Sequence, residues 1–152
     1  MKGKTFYSVL SEHIDLEYLF EKHQRALVSR DIAESLAAIQ AFERGLLQHI
    51  AFEDDVLLPL YAAKGAEEGG TLSIFHAEHR KLREMAEDLV RQSLALERSS
   101  DLLGSILEIL DHEALFKGLF SHHAVREENL LFPALEARTT QGEREKVLKQ
   151  AG

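Results

Sequence analysis

An internal repeat constrains the fold of this chain more than any other feature. Two segments align without a gap, from His49 to Pro59 and from His123 to Pro133, and each reads His-x3-Glu with Pro six residues after the Glu. Earlier in each half, Glu12-His13 matches Glu78-His79. We interpret the repeating unit as a pair of helices, so that two copies form one bundle with an approximate twofold axis.

Hydrophobic residues recur at alternating spacings of three and four along four long segments, which is typical of helices in a bundle. The predicted helices run from Thr5 or Ser8 to about Ser29, from Asp31 to the region of Pro59, from Thr71 or Ser73 to about Arg98, and from Leu102 to the region of Pro133. A capping-box pattern, Thr140-Gln-Gly-Glu143, predicts a short last helix that reaches Gln150. The sequence therefore predicts an all-α, up-down-up-down four-helix bundle with a short C-terminal helix, as one domain over residues 1–152.

The composition narrows the possible chemistries and partners. The chain has 152 residues, a net charge of -8 and no Cys, which excludes thiolate metal sites, iron–sulfur clusters and a Cys nucleophile. An acidic chain is repelled by phosphate, so we expect neither nucleic acid nor an anionic membrane as a partner. It shows neither an apolar run long enough to span a bilayer nor a signal peptide, and a cytoplasmic protein is the expectation.

The hydrophobic seams of the predicted helices contain His and Glu among Leu, Ile and Phe. The first and third seams include His13 and His79. The second seam is predicted to continue through Leu46, His49, Glu53, Val56 and Leu60, and the fourth through Phe120, His123, Glu127 and Leu130. Burying an ionisable side chain without a partner is expensive, so these residues require a compensating interaction.

In an antiparallel bundle the repeated polar residues fall at one end. The two His of the up-going helices lie early, and the two His-x3-Glu pairs of the down-going helices lie late, with each pair on one helix face. We expect four imidazoles and two carboxylates to converge in one layer. The alternative is a set of core histidines, with each Glu paired to Lys or Arg. Because the nearby seam positions hold no basic residue, the sequence favours a buried metal site.

The donor set contains nitrogen and oxygen only, which suits Fe, Mn or Zn. Two carboxylates shared among four imidazoles suit two ions better than one, whereas a structural zinc site usually needs four ligands. The diiron proteins of the ferritin type use Glu-x2-His, which this chain lacks. That class is therefore disfavoured.

On these motifs the chain resembles the hemerythrin family, also called the HHE cation-binding domain family, over about residues 8–135, with the metal-site repeats at 8–60 and 74–135. The resemblance implies a non-heme diiron centre with Glu53 and Glu127 as the bridging carboxylates. It implies that His13 and His49 ligate one iron and that His79 and His123 ligate the other, with Mn or Zn disfavoured. Members of the family carry or sense dioxygen, bind nitric oxide, handle peroxide or serve in iron-linked stress repair.

One position departs from the family pattern. The dioxygen carriers have a fifth ligand in a His-x3-His pair on the third helix, whereas this chain has His76 and His79 at a spacing of x2. Residues at i and i+3 share a helix face, so His76 is included as a candidate metal ligand. Without it both ions keep an open position, which suits nitric oxide or peroxide better than reversible dioxygen carriage.

Other polar residues have more ordinary expected roles. His23 and Glu113 lie on the seams, each about 15 Å from the ligand His of its own helix, and we predict a buried hydrogen-bonded pair. We expect Glu12 and Glu78 to lie on the surface. Asp54, Asp55 and Glu128 are expected to face water or to orient metal ligands.

Three functions remain open from the sequence. The leading hypothesis is a diiron protein that binds dioxygen, nitric oxide or a related small molecule as carrier, scavenger or sensor. The alternative is a diiron enzyme that acts on peroxide or nitric oxide, or that donates iron for iron–sulfur repair. The third is a metal-free or zinc-stabilised bundle that serves as an interaction module. A small gaseous or peroxide ligand is the expected partner, and an oligomer or a protein partner is compatible with the sequence.

Overall fold

The computed structural model describes residues 5–151, which are mostly helical and contain no β-strand. The helices are α1 Leu10–Val28, α2 Ile32–Phe52, α3 Leu58–Lys64, α4 Leu72–Leu94, α5 Leu102–Arg126, α6 Phe132–Arg138 and α7 Gln141–Leu148. Each of the long helices α1, α2, α4 and α5 packs on the next, and α5 closes against α1. The predicted four-helix bundle with a short C-terminal helix is confirmed. Within residues 5–151, no helix has the length and apolar character needed to cross a membrane.

Side-chain caps fix the starts of three helices where the sequence places them. The carboxylate of Asp31 accepts a hydrogen bond from the N–H of Glu34, and that of Asp101 accepts one from Gly104. Thr140 and Glu143 form the reciprocal capping box at the start of α7. These contacts satisfy amide groups that have no partner within the helix.

Two π-helical turns interrupt the second and fourth long helices at equivalent positions. They span Glu53–Leu57 and Glu127–Leu131, and in each the N–H after the turn bonds to the carbonyl of the Glu, five residues earlier. Pro59 and Pro133 are the second residues after the turns and have no N–H to donate. The helices resume beyond the turns as α3 and α6, so each extends further than the expected end at the proline.

Each π turn shifts the inward face of its helix by one residue. Leu57 and Leu131 are fully buried, whereas Val56, Leu60 and Leu130 are only partly buried. The prediction that Val56 and Leu130 lie on the core seam was therefore wrong, whereas Leu60 still packs against the edge of the end-layer core. A π turn holds one residue more than an α turn, and the core positions after it move by the same amount.

The bundle core consists of three apolar layers with two polar layers between them. The end layer includes Phe75 and Leu131, the middle layer the rings of Phe20, Phe42, Phe116 and Phe120, and the far layer Leu27 and Ile109. The repeated His and Glu residues lie between the end and middle layers. His23 and Glu113 lie between the middle and far layers, where neither is exposed.

Candidate metal centre

Six buried side chains from the four long helices converge between the end and middle layers. They are His13 from α1, His49 from α2, Glu53 and Glu127 from the two π turns, His79 from α4 and His123 from α5. None exceeds 5% exposure. Both carboxylates stand at the first residue of a π turn, one helical turn after the His of the same long helix.

The four imidazoles form two pairs that follow the two halves of the sequence. The ring centroids of His13 and His49 are 4.6 Å apart, and those of His79 and His123 are 4.8 Å apart. In both pairs the rings meet edge to face, at interplanar angles of 70° and 69°. The approximate twofold symmetry expected from the repeat is thus present at the centre.

Each carboxylate contacts imidazoles of both pairs. Oε1 of Glu53 lies 2.8 Å from Nε2 of His49 and 3.5 Å from Nε2 of His79. Glu127 places Oε1 2.5 Å from Nε2 of His123 and Oε2 3.4 Å from Nε2 of His13. Both carboxylates therefore lie between the two imidazole pairs.

Most of the donor atoms have no hydrogen-bond partner within the described residues. Both oxygens of Glu53, both oxygens of Glu127 and the Nε2 atoms of His79 and His123 are buried and unpaired. Buried polar groups are rarely left unsatisfied, because each such group carries a desolvation penalty. A bound cation would satisfy all six atoms at once, so this donor set fits a metal.

Two overlapping groups of side chains could each hold a metal ion. Within each group, the ligand atoms lie within 4.8 Å of one another. The first group is Glu53, His79, His123 and Glu127, and the second is His13, His49 and Glu127. Since Glu127 belongs to both, the groups adjoin. The arrangement can hold a metal, and it offers ligands on two sides of a shared carboxylate.

A second set of carboxylates orients three of the four imidazoles through their outer nitrogens. The Nδ1–H groups donate from His49 to Glu12 over 2.7 Å, from His79 to Asp54 over 2.6 Å and from His123 to Glu78 over 3.1 Å. This bond fixes the tautomer, so the lone pair of each Nε2 points to the centre.

Glu78 is only 11% exposed, which corrects the expectation that it lies on the surface, whereas Glu12 is 35% exposed. Each precedes a proposed ligand on its own helix and reaches across to the ligand of the neighbouring helix. The repeat of the Glu-His dipeptide was the available signal. Asp54 is one of the residues expected to face water or orient ligands, and it contacts His79.

The mutual interactions of these groups shift their pKa values strongly. Burial and the adjacent His49 lower the pKa of His13 to about 4. Burial disfavours the charge on His123 as well, but the adjacent carboxylates of Glu127 and Glu53 raise its pKa to about 12. Burial and the charge of Glu53 raise the pKa of Glu127. Two anionic carboxylates in one buried layer are thus unfavourable without additional positive charge.

His76 lies beside the six-residue cluster rather than within it. Its side chain is half exposed, and its Nδ1 is 3.2 Å from Oδ1 of Asp54, the oxygen that also accepts from His79. His76, Asp54 and His79 form a third group of possible donors, on the outer side of His79. A role for His76 as a ligand stays a prediction.

Comparison with known proteins adds one match. The family model described as the hemerythrin HHE cation-binding domain matches residues 70–150, a range that includes His79, His123 and Glu127. No curated protein and no solved structure gives a significant match. His13, His49 and Glu53 precede the matched range, and they join the site through the internal repeat and the geometry described above.

Proposed function

The chain belongs to the hemerythrin HHE cation-binding domain family, and on that basis we propose that it is a non-heme diiron protein that binds dioxygen, nitric oxide or a related small molecule. The observation that carries the proposal is the set of six unpaired, buried donor atoms contributed by Glu53, Glu127, His79 and His123. In this proposal His13 and His49 would hold one ion, His79 and His123 would hold the other, and both carboxylates would be shared between the ions.

The donor chemistry supports iron. Carboxylate oxygens and imidazole nitrogens suit Fe, Mn and Zn, and two divalent ions balance the charge of two buried carboxylates better than one ion does. Six protein ligands shared by two ions also leave coordination positions for a small molecule. When bound, the ions supply reversible binding of a diatomic ligand together with a change of iron oxidation state.

The residues around the centre orient the ligands and exclude water. The Nδ1–H bonds to Glu12, Asp54 and Glu78 hold three imidazoles in the ligating tautomer. Phe120 packs edge-on against His13, with the ring centroids 5.6 Å apart, and the ring centroids of Phe75 and His123 are 6.3 Å apart. These rings place apolar surface on two sides of the centre, which limits access for water.

The test is to load the metal-free protein with Fe²⁺ under anaerobic conditions, count the ions and record optical spectra with and without dioxygen or nitric oxide. We expect two iron ions per chain and reversible spectral changes with one of the gases. One ion per chain, or two with no response to either gas, would contradict the proposal. Net consumption of peroxide or nitric oxide over many turnovers would instead indicate the diiron enzyme.

The chain offers a matched pair of variants for this experiment. His123→Ala removes a buried proposed ligand, and His122→Ala removes its exposed neighbour, whose ring contacts Arg126 at the surface. The first variant is expected to lose bound iron and the second to retain two ions. Equal iron content in the two variants would show that the metal binds elsewhere.

A further inference from the structure

The two imidazole pairs differ in the hydrogen bonds of their inner nitrogens. Nε2 of His13 and Nε2 of His49 share a hydrogen bond of 2.9 Å. Nε2 of His79 and Nε2 of His123 have no hydrogen-bond partner among residues 5–151. An ion that binds between His13 and His49 must break an existing hydrogen bond, whereas an ion at His79 and His123 meets lone pairs that are already available.

The outer nitrogens show the same asymmetry. Asp54 and Glu78, which hold His79 and His123, are 17% and 11% exposed, and Glu78 also accepts a hydrogen bond of 3.0 Å from Nε of Arg126. Glu12, which holds His49, is 35% exposed. His13 donates to no carboxylate through Nδ1 in the described part of the chain. The imidazoles of the second half are therefore the more firmly oriented pair.

The surroundings of His13 and His49 are also more open to solvent than those of His79 and His123. A cleft of about 280 Å³ between α1 and α2 is lined by Glu12, Asp15, Leu16, Gly45, Gln48 and His49. It gives solvent a route to the outer side of His49. A ligand whose supporting hydrogen bond is solvated is held less rigidly than one whose partner is buried.

We propose that the centre fills in a fixed order. The position at His79 and His123 binds its ion first and more tightly, and the position at His13 and His49 binds second and exchanges its ion with solvent. This inference rests on the proposed two-ion centre. It adds that the twofold symmetry of the repeat is broken where the ions bind, through Glu12 and the bond between His13 and His49.

The first experiment is a titration of the metal-free protein with Co²⁺, in which binding is measured by calorimetry and by native mass spectrometry. We expect the singly loaded species to dominate up to one equivalent. A singly loaded species that never exceeds the doubly loaded one would overturn the order. Mutual repulsion makes any two-ion centre bind in two steps, so the titration must be repeated on variants that identify the position filled at each step.

The matched variants are Glu78→Gln and Glu12→Gln, which occupy equivalent positions in the repeat. Loss of a hydrogen-bond partner of a metal ligand weakens binding by roughly 10–100-fold. We expect Glu78→Gln to weaken the first Co²⁺ by at least about tenfold, and Glu12→Gln to weaken the second while changing the first by less. Circular dichroism checks that both variants remain folded.

The outcomes separate this inference from the proposed function. If the wild-type protein binds no Co²⁺ and no Fe²⁺, the centre itself is refuted and the loading order with it. If it binds two ions but Glu12→Gln weakens the first ion and Glu78→Gln does not, the centre stands and the order is reversed. Equal effects of both variants on both ions would show that the two positions are equivalent.

Discussion

His23 and Glu113 meet in the core of the bundle, where Nε2 of the imidazole contacts Oε1 of the carboxylate and neither side chain is exposed. Nδ1–H of His23 donates to the carbonyl of Ser35 over 2.6 Å, and Nε2–H of Gln24 donates to Oε2 of Glu113 over 3.2 Å. Every polar atom of the two side chains thus has a partner. The buried pair predicted from the sequence is confirmed, and it links α1 to α5.

Removing one member of this pair is expected to destabilise the protein strongly. Breaking a buried pair leaves an uncompensated polar group, so Glu113→Ala should lower the free energy of unfolding by about 3–5 kcal/mol. Urea unfolding of the metal-free protein measures this change, and Glu108→Ala, at an exposed position on the same helix, is the control. Similar midpoints for the two variants would show that the pair contributes little.

The fold could be predicted from the sequence where apolar residues recur at helical spacing and capping residues mark the helix starts. Every residue that the spacing of three and four places on the first and third seams, from Val9 to Leu27 and from Phe75 to Leu96, is buried, although the spacing misses the buried Ala26. The shift after Glu53 and Glu127 was not predicted, because a π turn extends a helix by one residue without a distinctive local pattern. Pro59 and Pro133 indicated only that a hydrogen bond is lost there.

Two adjacent leucines test the shift directly. Leu131 is fully buried in the end layer, whereas Leu130 is partly exposed. Leu131→Ala should lower the free energy of unfolding by about 2–5 kcal/mol, the range for a truncated core leucine. Leu130→Ala should cost about 1 kcal/mol or less, since a partly exposed side chain loses less buried area. If chemical denaturation shows a larger loss for Leu130→Ala than for Leu131→Ala, the one-residue shift of the core positions is contradicted.

The candidate centre was predictable to the extent that its residues repeat at helical spacing. The four imidazoles and two carboxylates follow from seam position and antiparallel direction. The supporting contacts from Glu12 and Glu78 depend on the rotation of one helix against its neighbour, which spacing along a single helix does not specify. A side chain at the edge of the seam then reaches a ligand 37 or 45 residues away.

Metal binding is expected to stabilise the fold, because the unpaired donor atoms penalise the metal-free protein. Free metal at a hundred times its Kd should raise the free energy of unfolding by about 2.7 kcal/mol for one site. Thermal unfolding with Zn²⁺ and then with excess chelator measures the gain and its reversal. The double variant Glu53→Gln with Glu127→Gln should lose the gain. An increase retained in that variant would place the stabilising ion outside the centre.

The position of His76 predicts that six ligands suffice to hold the two ions proposed for the centre. Its half-exposed ring contacts Oδ1 of Asp54, and the Nε2 atom of His79 is the one that faces the centre. His76→Ala should therefore retain two ions and weaken binding by less than about tenfold, below the usual effect of losing a partner of a ligand. His79→Ala, as the matched variant one helical turn away, should lose an ion.

Metal analysis and optical spectra of the two variants decide between six and seven ligands. An unchanged spectrum in His76→Ala, with iron at two per chain, leaves each ion an open coordination position. Both ions can then engage a ligand such as nitric oxide or peroxide. Loss of an ion or a shifted spectrum in His76→Ala would make this residue a ligand of the ion at His79, and small-molecule binding would be confined to the ion at His13 and His49.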